Sequence, residues 1–320
     1  MRFFIGTDEA GYGPNLGPLL VSATAWQIEE SSAAADFYGL LSTAVTAEAP
    51  KKGDRRLHLA DSKAVYAPAH GLAALERGVL TLAGLLGNTP TQWRQVWAAL
   101  APAAWDELAA SACYSGFDCE LPLAAGRDDV AAMQAQLQEA CEVAGVRLLA
   151  IRARAVFPDE FNGLIESQGN KAGALSCVTL RLAAELLDSL PDGDVELVCD
   201  KHGGRNSYAP LLQQHVTECW VECLREAADE SLYRFGTPLR RVSARFCCRA
   251  ERYPPVAAAS MVSKYLREIS MKAFNAFWRR HVPELRPTAG YPLDAKRFKR
   301  EIAAAQTALG MADRVLWRTR

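Results

Sequence analysis

Two carboxylates stand side by side at Asp8 and Glu9, directly after an apolar run and directly before a stretch rich in glycine and proline, GYGPNLGP (residues 11–18). Two further acids, Asp200 and Glu251, close or follow other apolar runs, VELVCD and RRVSARFCCRA. Acids gathered in one place repel one another and raise each other's pKa values unless a cation lies among them, and hard oxygen ligands select Mg²⁺ or Mn²⁺. Two such ions about 4 Å apart can activate a water and stabilise the leaving oxygen of a phosphodiester. The Gly-rich turn adds exposed backbone N–H groups that an anionic phosphate can use. Taken singly, each acid has a plainer reading: Asp8 as a turn former, Asp200 as a loop cap, Glu251 as a solvated charge beside Arg249 and Arg252. Together they point to a divalent metal site.

The elements that must bring these acids together follow from the apolar patterning. Residues 2–7 and 19–26 read as the two strands of a hairpin around the Gly-rich turn. Asp61 or Ser62 can cap a helix running towards Leu86, after an Ala/Ser-rich stretch from about residue 31 that reads as loop and short helix. Over about 87–130 a helical insertion is expected, with Trp93 and Trp97 on one face, packed in a core. Helices are then expected over 127–144, 171–190, 209–227, 255–282 and 293–309, and strands over 146–157, 195–200 and 240–250. Strands alternating with helices after an opening hairpin predict an α/β domain whose mixed sheet is flanked by helices. In such sheets polar groups gather at strand ends, so acids from different strands can converge.

Composition sets bounds. The 320 residues carry 36 Lys and Arg against 37 Asp and Glu, so no global positive field announces a nucleic-acid partner and any basic surface must be local. The nine cysteines lack paired metal-ligand spacing and read as reduced; Cys219 and Cys223, four apart on the expected 209–227 helix, read as structural. No signal-peptide pattern and no bilayer-length apolar run is present, which predicts a soluble, cytoplasmic protein with no membrane partner.

The motifs themselves resemble a known family. DEAGYGPNLGP resembles the opening motif of the type 2 ribonucleases H, ribonucleases HII and HIII, and LADSKAVYAP (59–68) is similar to their D-S-K segment. FPDEFNGLIESQGNKAGAL (157–175), VELVCD, AERYPPVAAASMVSKYLRE (250–268) and AGYPLDAKRF (289–298) resemble further family segments, in the same order. Gly11-Tyr12-Gly13 stands where ribonucleases HII have G-R-G. Counting back from Ala259-Ser260, the family's fourth acid falls on Ala250; a one-residue deletion brings Glu251 to the site, and the role is assigned there.

The resemblance implies an RNase H-like fold, with a catalytic core over 1–255 and a C-terminal helical extension over 256–320 that contributes to substrate binding. It implies a metal-dependent endoribonuclease acting on RNA–DNA hybrids or duplexes with embedded ribonucleotides, with no obligate protein partner. Asp8, Glu9, Asp200 and Glu251 would hold two Mg²⁺ or Mn²⁺ ions and leave 5′-phosphate and 3′-hydroxyl ends. Substrate contacts are implied for Gly11, Tyr12, Gly13, Lys63, Asn170, Lys171, Ser260, Lys264 and Tyr291. Lys201 and Arg205, in the loop after Asp200, add a basic cluster, and His202 between them is a candidate proton carrier. AKRFKR (295–300), with Arg279 and Arg280, supplies local positive charge for a duplex. Two other readings stay open: a nuclease of this fold acting on another nucleic acid such as DNA, and an inactive hybrid-binding protein.

Overall fold

In the computed structural model, which describes residues 1–29, 36–69 and 71–319, the five apolar runs expected to be strands join two strands not expected, at 222–226 and 230–236, in one seven-stranded mixed sheet. Its strands are β1 (Arg2–Ala10), β2 (Leu19–Ile28), β5 (Val146–Val156), β6 (Asp194–Asp200), β7 (Glu222–Glu226), β8 (Glu230–Gly236) and β9 (Arg241–Cys247); β3 (Val45–Thr46) and β4 (Leu57–His58) form a separate pair. The order is β5-β2-β1-β6-β9-β8-β7. β1 and β2 are the expected antiparallel hairpin, and β1, β6 and β9 run parallel in the centre. This is the α/β architecture predicted above, a mixed sheet opening with an antiparallel hairpin and flanked by helices, with its helical insertion between β2 and β5.

Alternation along the strands serves two cores. Phe3 and Ile5 of β1 and Val21 and Ala23 of β2 pack with Leu182 and Leu186 of the helix Lys171–Ser189. Leu20, Trp26 and Ile28 face the opposite way and join Leu266 and Ile269 of the long helix Pro254–His281. That helix lies against β1 backbone to backbone. A Cβ on Gly6 would fall 2.3 Å from the Pro255 carbonyl carbon and the Val256 nitrogen, so only glycine admits this approach. Pro254 and Pro255 occupy the first turn, where missing N–H groups cost nothing, and Arg279, Arg280 and His281 complement the dipole at the other end. The expected boundary between 255 and 256 lies inside this first turn.

The insertion contains helices Trp93–Leu100 and Trp105–Ala110, and Trp93 and Trp97 are buried in the core as expected. Two elements differ from the sequence reading. The helix expected from Ser62 towards Leu86 is two helices, Ser62–Val65, capped by Asp61, and Ala73–Leu85; Pro68 between them cannot continue a helical ladder. The helix expected over 209–227 stops at His215, and residues 222–226 form the edge strand β7, paired with β8. β8 buries Ser231, Tyr233 and Phe235 alternately, a period of two that overrides the local helical pattern next to it. Cys219 and Cys223 therefore share no helix face, and all nine cysteines are free. The Ala/Ser-rich stretch of the sequence reading falls partly on residues 30–35, outside the described residues.

No helix among the described residues is long and apolar enough to cross a membrane.

Candidate active site

β1 and β6 are parallel, and the last registered pair between them is Thr7 with Cys199. Asp8 and Asp200 are each the next residue, so the two carboxylates leave adjacent strands at the same carboxyl-terminal end. Glu9 follows on β1. The fourth acid arrives by a turn: β9 ends at Cys247, Arg249 adopts the left-handed conformation at φ 58°, and a short 3₁₀ turn spans Ala250–Arg252. The two candidate positions differ within this turn. Ala250 is fully buried with Val198 and Cys247, and its N–H points at Asp200 Oδ1 at 3.5 Å, while Glu251 stays partly exposed.

The four acids feel one another. Burial pushes the Asp8 carboxyl well above its ordinary range, the charges of Glu9 and Glu251 push it further, and a hydrogen bond from Ser260 opposes them. Glu9 is raised to about 7, by burial first and then by Asp200, with Lys63 opposing. Asp200 and Glu251 are also raised, chiefly by burial; the N–H groups of Ala250 and Lys201 hold Asp200 down in part. Asp61 presses on both of these acids. Sequence reading treated Asp61 only as a helix cap; its place at the head of the D-S-K segment was the signal for a second role.

Does this set fit a divalent cation? The donors are hard carboxylate oxygens, partly buried, at the end of a rigid sheet, and burial first and neighbouring acids second raise their proton affinity. Among the described residues no group of three or more His, Cys, Asp or Glu side chains is drawn close enough to hold a metal ion. The donor chemistry fits, and the expected ligands are Asp8, Glu9, Asp200 and Glu251.

The other expected residues divide into two groups. Lys63 is 85% exposed and projects a charge felt by Asp8, Glu9 and Glu251, with Asp61 Oδ2 3.9 Å from its ammonium. Tyr291 is 56% exposed beside Gly13, and Lys171 lies 5.6 Å from the Tyr12 ring centroid, its ammonium 3.5 Å from the Tyr12 carbonyl. Tyr291 and Lys171 flank the Gly-rich loop, and Lys63 lies among the acids. The remaining residues are held by the protein. Asn170 caps the helix Lys171–Ser189 by accepting from the Gly173 N–H at 2.8 Å. Lys201 donates to Asn206 Oδ1 at 2.7 Å and to the Ala227 carbonyl at 2.5 Å. The Arg205 backbone N–H bonds the His202 carbonyl while its side-chain Nε is buried without a hydrogen-bond partner, and Lys264 pairs with Glu268 at 2.6 Å. Ser260 is fully buried: its Oγ lies 3.1 Å from Ser62 Oγ and accepts from the Ser62 N–H, tying the D-S-K segment to the long helix beneath Asp8. Its neighbour Ser263, missed in the sequence, donates to the Asp8 carbonyl at 3.0 Å. Within the 295–300 run, Arg297 pairs with Asp294 and Glu301, and Lys299 with Asp313.

His202 is neither a surface residue nor a proton carrier at neutral pH. It is 2% exposed, its Nδ1 shares a hydrogen bond with Ser176 Oγ at 2.9 Å, and burial followed by the nearby Arg205 charge lowers its pKa to about 3. The imidazole is a neutral strut inside the loop.

No protein-family model matches the chain, and no curated protein matches it. Solved structures do. Over 98% of its length the chain is similar to ribonuclease H2 from Pyrococcus horikoshii OT3, covering 92% of that chain at 15% identity and a TM-score of 0.49. It is similar to a chain of the PCNA:RNase HII complex from Archaeoglobus fulgidus (99% and 94% covered, 14% identity, TM-score 0.45). It is also similar to Bst-RNase HIII in complex with Mn²⁺ (99% and 66% covered, 14% identity, TM-score 0.46).

Proposed function

We propose that this chain is a metal-dependent endoribonuclease that hydrolyses the RNA strand of RNA–DNA hybrids, or of duplexes with embedded ribonucleotides, leaving 5′-phosphate and 3′-hydroxyl ends. The observation that carries this reading is the shared strand end from which Asp8 and Asp200 emerge, with Glu9 and Glu251 within electrostatic reach. Asp8, Glu9, Asp200 and Glu251 would hold two Mg²⁺ or Mn²⁺ ions. Bound there, the ions would neutralise the carboxylates and supply Lewis acidity for phosphodiester hydrolysis.

The chain's own residues do the rest. Ser260 and Ser263 fix Asp8 from the long helix, through its carboxyl and its carbonyl respectively. The N–H of Ala250 orients Asp200. Lys63, on the exposed lip of the site, offers a mobile cation to the phosphate backbone. The Tyr291 ring beside Gly13 offers a face on which a base or sugar can lie, and Gly11-Tyr12-Gly13 forms the adjoining wall.

The test is cleavage of three end-labelled duplexes of one sequence: full RNA–DNA hybrid, DNA with a single ribonucleotide, and plain DNA, each with Mg²⁺ or Mn²⁺. Cutting confined to the ribonucleotide-containing strands supports the reading. Cutting of plain DNA at a similar rate would replace it with a DNA nuclease, and tight hybrid binding without cutting would replace it with a binding protein.

A further inference from the structure

Two buried arginines hold the Gly-rich loop from behind. Arg267, on the long helix and 3% exposed, donates from Nη1 to the Pro18 carbonyl at 2.6 Å and from Nη2 to the Leu16 carbonyl at 2.7 Å and the Ala289 carbonyl at 3.0 Å. Arg318 is fully buried and reaches the same loop from the segment 317–319. Its N–H donates to the Asn15 carbonyl at 2.8 Å, Asn15 Nδ2 donates back to the Arg318 carbonyl at 3.0 Å, and Trp317 forms a bridge with Leu16. The Arg318 Nη2 donates to the Gly11 carbonyl at 2.6 Å, and the guanidinium lies 4.9 Å from the Phe161 ring centroid. Asn162 fastens the segment by donating to the Trp317 carbonyl and accepting from the Thr319 N–H and hydroxyl.

Three facts make this more than packing. First, the carbonyls of Gly11, Asn15, Leu16 and Pro18 are all turned inward and taken. Second, among the described residues neither guanidinium is bonded to a carboxylate, and Arg318 Nε and Nη1 are buried with no hydrogen-bond partner. Burying an uncompensated charge is costly, whereas an apolar side chain would fill the same space without that cost. Third, the loop itself carries no cation: Tyr12 stands between its glycines. A positive charge set in low dielectric behind the loop acts on an anion in front of it with little screening.

We propose that Arg318 is a positioning residue for the nucleic-acid strand, holding the loop carbonyls inward and supplying from behind the positive potential that the neutral Tyr12 does not. This rests on the nuclease reading above. Its partner is the phosphodiester backbone in front of residues 11–13, which it attracts through the loop without touching it.

The experiment uses the full-length chain with Arg318→Gln, which can keep a bond to the Gly11 carbonyl but drops the charge, and Arg318→Lys, which keeps the charge. KM and kcat are measured on the RNA–DNA hybrid, and amide hydrogen exchange is followed over residues 11–18. Arg318→Gln is expected to raise KM about tenfold with kcat within about threefold of wild type, and Arg318→Lys to stay within about threefold on both. Exchange over 11–18 should change less in Arg318→Gln than KM does. An unchanged KM in Arg318→Gln with active wild type would overturn the inference alone. So would equal losses in the two variants tracking equal loosening of the loop, since that is a structural role. A wild-type chain that neither binds nor cuts the hybrid would remove the nuclease reading and this inference with it.

Discussion

Asp8 and Asp200 are neighbours across two parallel strands: Thr7 and Cys199 form the last registered pair, and each aspartate is the residue that follows. Backbone register fixes the two aspartates at one strand end, while their side chains keep rotamer freedom. Their charges are relieved either by protons or by a cation.

A cation that binds only the folded chain stabilises it by mass action, about 2.7 kcal/mol when the free ion is at one hundred times its Kd. Thermal melts with Mn²⁺ against EDTA should show Tm rising with ion concentration, and the rise should vanish in Asp8→Asn and Asp200→Asn. A rise of the same size in both variants would place the ion elsewhere.

Glu251 and Ala250 should respond in opposite ways. Glu251→Gln is expected to keep the fold and lose cleavage by at least about tenfold, the range typical of residues around a metal. Ala250→Glu would force an unpaired carboxylate among Val198, Cys247 and Val256, and should destabilise by about 3 kcal/mol or more, read by urea unfolding. An active, stable Ala250→Glu would mean that the turn can shift by one residue and that the two positions are interchangeable.

Glu76 ties the insertion to the long helix. Fully buried, it accepts from the N–H groups of Leu123, Ala124 and Ala125 and from the Tyr265 hydroxyl at 2.9 Å. Glu76→Ala would leave four donors unpaired, and a loss of about 3 kcal/mol or more is expected in the same unfolding measurement. Glu76→Gln, which can satisfy fewer of them, should fall between wild type and alanine.

Glu107 gives the pH dependence a sign. Burial, then the charges of Glu160 and Asp159, raise its pKa to about 7, with Arg154 opposing. Above the ordinary glutamate value the unfolded chain has lost this proton and the folded chain still holds it, so stability falls as pH rises from about 4.5 through 7. Glu107→Gln should therefore raise Tm relative to wild type at pH 8 and leave it nearly unchanged at pH 5. A gain at pH 5 equal to that at pH 8 would exclude titration as the cause.

Much of the site was legible because strand ends are written in period-two patterning: RFFIGTDEA and VELVCD each announce a strand and the acid at its end. What could not be read was register. Nothing local in either segment says that Thr7 faces Cys199, since that pairing is set by the whole sheet. Contacts made by helix backs were equally silent. Ser260, expected to contact the substrate, is buried because the long helix meets β1 at Gly6, and Arg318 reaches Gly11 across more than three hundred residues of sequence. The 209–227 helix failed for a related reason: its apolar spacing suited a helix, but pairing with β8 decided the matter.

The central claim is that Asp8 and Asp200 act together on a ribonucleotide-containing strand. Its most direct test is single-turnover cleavage of an RNA–DNA hybrid with Mn²⁺, comparing wild type, Asp8→Asn and Asp200→Asn, with 5′-phosphate and 3′-hydroxyl ends scored on the products. The account predicts cutting by wild type and a loss of at least about 100-fold in each variant with hybrid binding retained. Full cleavage by either variant would contradict it.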